Sequence, residues 1–271
     1  MTKEQEIAHV FKNRDLIITE KKNATKHGDF CDARIQAAEN VIKAGVEITG
    51  ADSTVLNAKL VINTTNVIDS HMDCHINGLW KKSLKENKNL LLLQEHQMDF
   101  DKVIADSVND NLKATTETID WKQLGYNFIG STEALIFNAQ IKKDVNEFMF
   151  NLYRKGRVLN HSVGMRYVKM FLCINSNEAT YSSEKANWEK YYPVVVNPQI
   201  ADEKGYFWAI TEAMVIEGSA VVKGSNEFTP TMEIEIEKEI GAVENTPTTE
   251  PLKDTQSITG TDPKKTISIY F

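Results

Sequence analysis

Tyr206-Phe-Trp-Ala-Ile-Thr-Glu-Ala-Met-Val-Ile-Glu-Gly-Ser-Ala-Val-Val222 is the stretch on which the fold turns. It is rich in aromatic and β-branched residues and contains no proline, the composition of a pleated, half-buried segment. Val158 to Ile174 has the same character. Both exceed an ordinary strand in length, so each is expected to bend or bulge. Working outward, 41–48, 55–63, 89–96 and 132–141 also read as strands. Between them, Ile76 to Lys88 and, more weakly, Phe100 to Leu112 read as helices. Asp144 to Lys155 is the clearest helix, capped by Asp144 and ended by a left-handed Gly156. The polar segment 175–205 has room for two short helices. Strands dominate and helices enter singly, which predicts an α+β domain: a mostly antiparallel sheet or barrel core surrounded by helices. No regular βαβ alternation and no phosphate-cradling Gly-rich loop occurs.

Composition narrows the function classes. The chain has 271 residues, 41% hydrophobic and 25% charged, enough apolar material for a core. Its net charge of −7 argues against a nucleic-acid partner. No apolar run is long enough to span a bilayer, so no membrane partner is expected. The opening Met1-Thr-Lys-Glu-Gln-Glu has no apolar core of a secretory signal. Three scattered cysteines, Cys31, Cys74 and Cys173, form neither a disulfide framework nor a zinc-ribbon spacing, which fits a reducing compartment. From Thr231 onward there are eight acidic and four basic residues and half of the chain's six prolines. The expected division is a folded domain over 1–230 and a flexible acidic tail over 231–271, with Glu233, Glu235 and Glu237 on a solvated face.

Several residues could carry chemistry. His9 and His27 sit in polar surroundings and read as surface residues. His96 closes the apolar strand Leu91-Leu-Leu-Gln-Glu-His96; it reads either as a strand-end histidine bonded to backbone or as a general base on a rigid rim. In Asn160-His-Ser-Val-Gly-Met-Arg-Tyr-Val168, Ser162, Gly164 and Arg166 share one face and His161 the other. The glycine would leave open space over the Ser162 hydroxyl, and Arg166 could stabilise an oxyanion; alternatively, two sheets simply pack closely there. His71, Asp73 and His75 alternate in Asp69-Ser-His-Met-Asp-Cys-His75 and could share a metal ion, or Asp73 could cap the following helix. Cys74 has nothing nearby to activate it. Glu217, inside an apolar strand, needs a partner, either a cation or a histidine whose tautomer it fixes; Glu212 could play that part equally well by spacing.

Four blocks, in order, resemble the prohead (capsid maturation) proteases of tailed phages, whose fold is shared with herpesvirus assembly proteases. They are Asn66-Val-Ile-Asp-Ser-His-Met-Asp73, Leu91-Leu-Leu-Gln-Glu-His96, Gly156-Arg-Val-Leu-Asn-His-Ser-Val-Gly-Met165 and Glu217-Gly-Ser-Ala-Val-Val-Lys-Gly-Ser-Asn226. The match spans about 41–230. It departs at Gly224-Ser225, where the family has Pro-Ala, and at His71 and Cys74; the 175–205 stretch resembles an insertion. The resemblance implies a cofactor-independent serine endopeptidase with His96 as general base, Ser162 as nucleophile and Glu217 as the orienting acid. Its implied substrates are the scaffolding protein, the N-terminal segment of the major capsid protein and the protease itself. The implied location is inside the procapsid in the host cytoplasm, and the implied assembly is a homodimer. Two rival readings accompany it: a catalytically inactive procapsid core protein, and a metal-dependent hydrolase built on His71, Asp73 and His75.

Overall fold

A computed structural model describes residues 1–24, 53–109 and 111–236. The expected strand at 41–48, His27, Cys31, Glu237 and the remainder of the acidic tail lie outside the described residues. In chain order the elements are helices α1 (Lys3–Lys12) and α2 (Arg14–Asn23), strands β1 (Val55–Thr64) and β2 (Asp73–His75), and helix α3 (Lys81–Glu86). Strands β3 (Leu91–Gln94), β4 (Val103–Asp106), β5 (Leu112–Asp120) and β6 (Ser131–Lys142) follow, then helix α4 (Glu147–Arg154) and strand β7 (Asn160–Ile174). Helices α5 (Ser182–Tyr191) and α6 (Pro198–Lys204) precede strands β8 (Tyr206–Val221) and β9 (Thr231–Ile236).

The strands form two sheets. One has the antiparallel order β5-β6-β1-β9. The other is organised by β8, which pairs antiparallel with β7 along nearly its whole length. On its other edge β8 carries β2 near its start and β3 near its end, both parallel, with β4 antiparallel beyond β3. The apolar faces of the two sheets meet in one core that includes Leu60, Ile62, Phe137, Val163, Met165, Trp208 and Val215. They approach closely: a Cβ on Gly218 would lie 2.7 Å from the Phe137 ring and 3.1 Å from Ile62. The architecture is therefore mixed α+β with largely antiparallel sheets, as expected, and among the described residues neither sheet closes into a barrel. No helix among the described residues is long and apolar enough to cross a membrane.

Local expectations fared unevenly. The helix expected at 100–112 is instead a single 3-10 turn at Phe100–Lys102 followed by β4 and the start of β5. Ile104 and Ala105 are both buried against β3, and Asp106 Oδ1 accepts from the amides of Val108 and Asn109, turning the chain before a helix could grow. The helix expected from Ile76 starts only at Lys81, after a turn through left-handed Gly78. Asn146 rather than Asp144 caps α4, accepting from Met149 N at 3.0 Å, while Gly156 does take the left-handed conformation (φ 62°). Two short helices, α5 and α6, do occupy 175–205. The domain boundary moves. Thr231–Ile236 belongs to the sheet, pairing with β1 from Leu56 to Leu60, and Thr231 Oγ1 donates to Val158 O at 2.7 Å. Glu233 and Glu235 are solvated, as expected of that alternation.

Candidate active site

The site lies on the face of the β7–β8 ribbon that points away from the opposing sheet. Val163, Met165 and Tyr167 alternate into the core, leaving Ser162, Gly164 and Arg166 on the outer face. The antiparallel register sets Ser162 opposite Ser219 and Gly164 opposite Glu217. Directly opposed residues carry their side chains on one face, about 4.5–5.5 Å apart at Cβ. Ser162, Ser219 and Glu217 are therefore immediate neighbours by register.

His96 arrives from the adjoining strand. Where β3 ends, Glu95 and His96 both take positive φ (51° and 57°), and Gln97 N donates to Gln94 O at 3.0 Å, the pattern of a type I′ turn. Two non-glycine residues in this region cost roughly 1–2 kcal/mol each, so the surroundings must hold them. Glu95 N donates to Ala220 O at 2.9 Å, Glu95 Oε1 accepts from Val222 N at 3.2 Å, and His96 N donates to Ser219 Oγ at 3.1 Å. The turn brings His96 Nδ1 to 2.7 Å from Glu217 Oε1, and the second carboxylate oxygen of Glu217 accepts from Ser219 Oγ at 2.6 Å. Glu217 and Ser219 are fully buried and Ser162 is 7% exposed. A buried carboxylate with both oxygens engaged satisfies the requirement that such a charge be paired and hydrogen-bonded.

Of the sequence candidates, the structure thus joins His96 directly to Glu217 and sets Ser162 one cross-strand step away. Among the described residues Ser162 and His96 share no hydrogen bond. Glu212, the alternative acid, is occupied elsewhere by Lys82 (3.2 Å) and Lys169 (2.8 Å). The space over Gly164 is not open: a Cβ there would run into the Glu217 carboxyl group. The glycine makes room for the acid rather than for a substrate. Arg166 is exposed, and four residues along a strand put it about 13 Å from Ser162, too far to serve an oxyanion there. His161 points inward between Tyr153 OH (3.0 Å) and Thr229, and burial lowers its pKa to about 4. His9 is exposed on α1.

The Asp69–His75 segment is a second polar cluster with a structural logic of its own. Asp69 Oδ1 accepts from the amides of His71 and Asp73, and burial, reinforced by the nearby Asp73 charge, pushes the Asp69 carboxyl well above the usual range. Asp73 is a β2 residue, not a helix cap; it pairs with Lys21 of α2 at 2.5 Å and accepts from Tyr167 OH at 3.0 Å. His75 lies between Asn63 and Tyr167 OH. Asp73 and His75 are engaged by different partners, and no group of three or more potential ligands is arranged to hold a metal among the described residues. Burial raises the Cys74 thiol well above its ordinary value, which removes it as a nucleophile at neutral pH. Sequence reasoning missed Lys21, Asn63 and Tyr167, which are scattered along the chain. It also left Ser219 without a role, although its position two residues after Glu217 on one strand face was a usable signal.

Compared with known protein families, with curated proteins and with solved structures, the chain finds no match.

Proposed function

We propose that the chain is a serine endopeptidase of the tailed-phage prohead protease class, with the herpesvirus-protease-like fold that class shares. The observation that carries this reading is the 2.7 Å bond between His96 Nδ1 and the buried Glu217, with Ser162 beside that pair on the same sheet face. A carboxylate at Nδ1 holds the proton there and leaves Nε2 as the basic nitrogen, the tautomer that a general base for a serine hydroxyl requires. His96 then takes the proton of Ser162 as its oxygen attacks a peptide carbonyl. The amine leaves with that proton, and water, activated by the same imidazole, hydrolyses the acyl-enzyme. The Ser162–His96 hydrogen bond forms in the substrate complex, as catalytic hydrogen bonds often do.

A groove of about 430 Å³ opens beside Glu95 and Asn160, lined by Phe148, Leu152, Leu159 and Val222. Phe148, Leu159 and Val222 are exposed in it, so it suits an extended apolar stretch of a substrate chain. The substrates in this reading are the scaffolding protein, the N-terminal segment of the major capsid protein and the chain itself, cleaved inside the procapsid in the host cytoplasm by a homodimer. The missing Ser162–His96 hydrogen bond favours one second reading, a catalytically inactive core protein of the procapsid.

Incubating purified protein with a fluorophosphonate probe, and separately alone, with intact mass as the readout, tests both. An endopeptidase is labelled at Ser162 and trims itself; both signals vanish in Ser162→Ala and in His96→Ala, and the double variant is hardly worse than either single one. A folded wild type that is neither labelled nor trimmed supports the core protein instead. Trimming that persists in Ser162→Ala overturns the serine assignment.

A further inference from the structure

Among the described residues, the Ser219 side chain hydrogen-bonds both the backbone of His96 and the carboxylate of Glu217. Its hydroxyl accepts from His96 N at 3.1 Å and donates to Glu217 Oε2 at 2.6 Å, using its one donor and one of its two acceptor lone pairs. It is fully buried. Its place in the register explains the first bond. The β3–β8 parallel ladder runs Leu92–Gly218, Leu93–Ser219, Gln94–Ala220, and the Glu95 amide still reaches Ala220 O. At His96 the chain has turned into the left-handed region and its amide has left the ladder, so a side chain completes what the strand no longer supplies. A hydroxyl can do this only by offering a lone pair, and its proton is then free for Glu217.

We infer that Ser219 is a positioning residue that locks the strained Glu95–His96 turn to the Glu217 carboxylate and so fixes the imidazole as the base for Ser162. The coupling works through two atoms that alanine cannot replace. Without the hydroxyl, the His96 amide is left to a turn that already disfavours its residues. Glu217 Oε2 at the same time loses its only donor among the described residues, and the carboxylate is free to rotate about its bond to His96. Threonine carries the same hydroxyl on the same backbone and should restore both bonds. This inference rests on the protease reading for its catalytic consequence but not for its structural one, so two readouts separate them.

The experiment uses the full chain, ¹⁵N-labelled at histidine, as wild type, Ser219→Ala and Ser219→Thr. The Nδ1 proton resonance of His96 is followed by NMR and the rate of fluorophosphonate labelling of Ser162 is followed in parallel. The expected result is a protected Nδ1 proton in wild type and Ser219→Thr that is lost to exchange in Ser219→Ala, with labelling slowed about tenfold to a hundredfold in the alanine variant alone. Urea unfolding establishes that each variant is folded when it is read. A folded Ser219→Ala with the resonance intact overturns the inference, whether or not labelling slows, because Ser219 would then not be acting through His96. If no form is labelled yet the resonance behaves as described, the positioning role stands and the protease reading falls.

Discussion

Gly164→Ala is a substitution of one methyl group whose cost should come almost entirely from Glu217. Gly164 does not have a positive φ, so alanine fits its backbone and by itself would stabilise the chain by about 0.4–1 kcal/mol. The added Cβ, however, would sit 2.7 Å from Glu217 Cδ and 3.0 Å from Cγ, closer still to Oε1, where carbon atoms normally keep about 3.5–4.0 Å. Glu217 has no slack with which to retreat, because Oε1 is held by His96 and Oε2 by Ser219 in a fully buried position. Moving the carboxylate by about 1 Å breaks the pairing of a buried charge, lost hydrogen bond included, for which costs of about 3–5 kcal/mol are typical. The expected net destabilisation is about 3–4 kcal/mol, within the stability of an ordinary domain, so the variant should still fold. Urea unfolding of wild type, Gly164→Ala, Glu217→Ala and the double variant measures it as a cycle. In the Glu217→Ala background the same methyl should cost less than about 1 kcal/mol, giving a coupling of about 3 kcal/mol. A Gly164→Ala penalty below about 1 kcal/mol, or equal penalties in both backgrounds, would refute the argument that the glycine exists to admit the acid.

Three other outcomes follow from the same geometry. His161 is neutral in its buried site, with a folded pKa lowered to about 4; stability is therefore full above the unfolded value near 6.5 and is lost as pH falls towards 4, by up to about 3 kcal/mol. Urea midpoints at pH 7 and pH 4.5 should show that loss in wild type and a smaller one in His161→Gln. Truncation after Pro230 removes β9 with the partly buried Ile234 and Ile236 and should cost about 2–4 kcal/mol by thermal or urea unfolding. Glu212→Gln, in contrast to Glu217→Gln, should leave Ser162 labelling within about twofold of wild type, because its partners Lys82 and Lys169 are more than half exposed and such pairs are weak.

What could be read from the sequence was what long apolar segments declare by themselves. The strands expected at 55–63, 132–141, 158–174 and 206–222 all exist within a residue or two, because each carries a run of β-branched and aromatic side chains longer than a turn can interrupt. Short elements behaved differently. Val103 to Asp106 is a strand only because β3 offers it a partner, and neither that partner nor the Asp106 turn can be seen in a helical period count. Thr231 to Ile236 looked like the start of a solvated tail because its glutamates are indeed solvated; its other face is an edge of the sheet, and alternation alone does not distinguish the two. The site residues His96, Ser162 and Glu217 stood out through their order along the chain. What Gly164 and Ser219 do there depends on which strand lies opposite, and that is tertiary information.

The sharpest case is the aim of Glu217 itself. A regular strand through Ala213, Val215 and Glu217 would point all three side chains to one face, and Ala213 and Val215 are buried in the core between the sheets. Continued without a break, that alternation would drive a carboxylate among Leu, Ile and Phe side chains. The register shows why this does not happen: Gly164 pairs with Glu217 but the next residue, Met165, pairs with Val215, so Ile216 is an extra residue on β8. Beyond this bulge the alternation is inverted. Gly218 and Ala220 now face the core, and Glu217 and Ser219 face His96. A bulge of this kind re-aims a side chain at the cost of one unpaired position, and such features gather beside functional sites. Ile216 is the residue that the bulge absorbs. Without it, Val215 opposite Met165 and Glu217 opposite Gly164 would be consecutive pairs of a regular ladder, with Val215 still in the core and Glu217 still on the face of His96. The Ile216 deletion variant should therefore fold with the His96 Nδ1 proton protected, and a folded deletion variant that has lost that protection would mean that the register of β7 and β8 does not aim the acid.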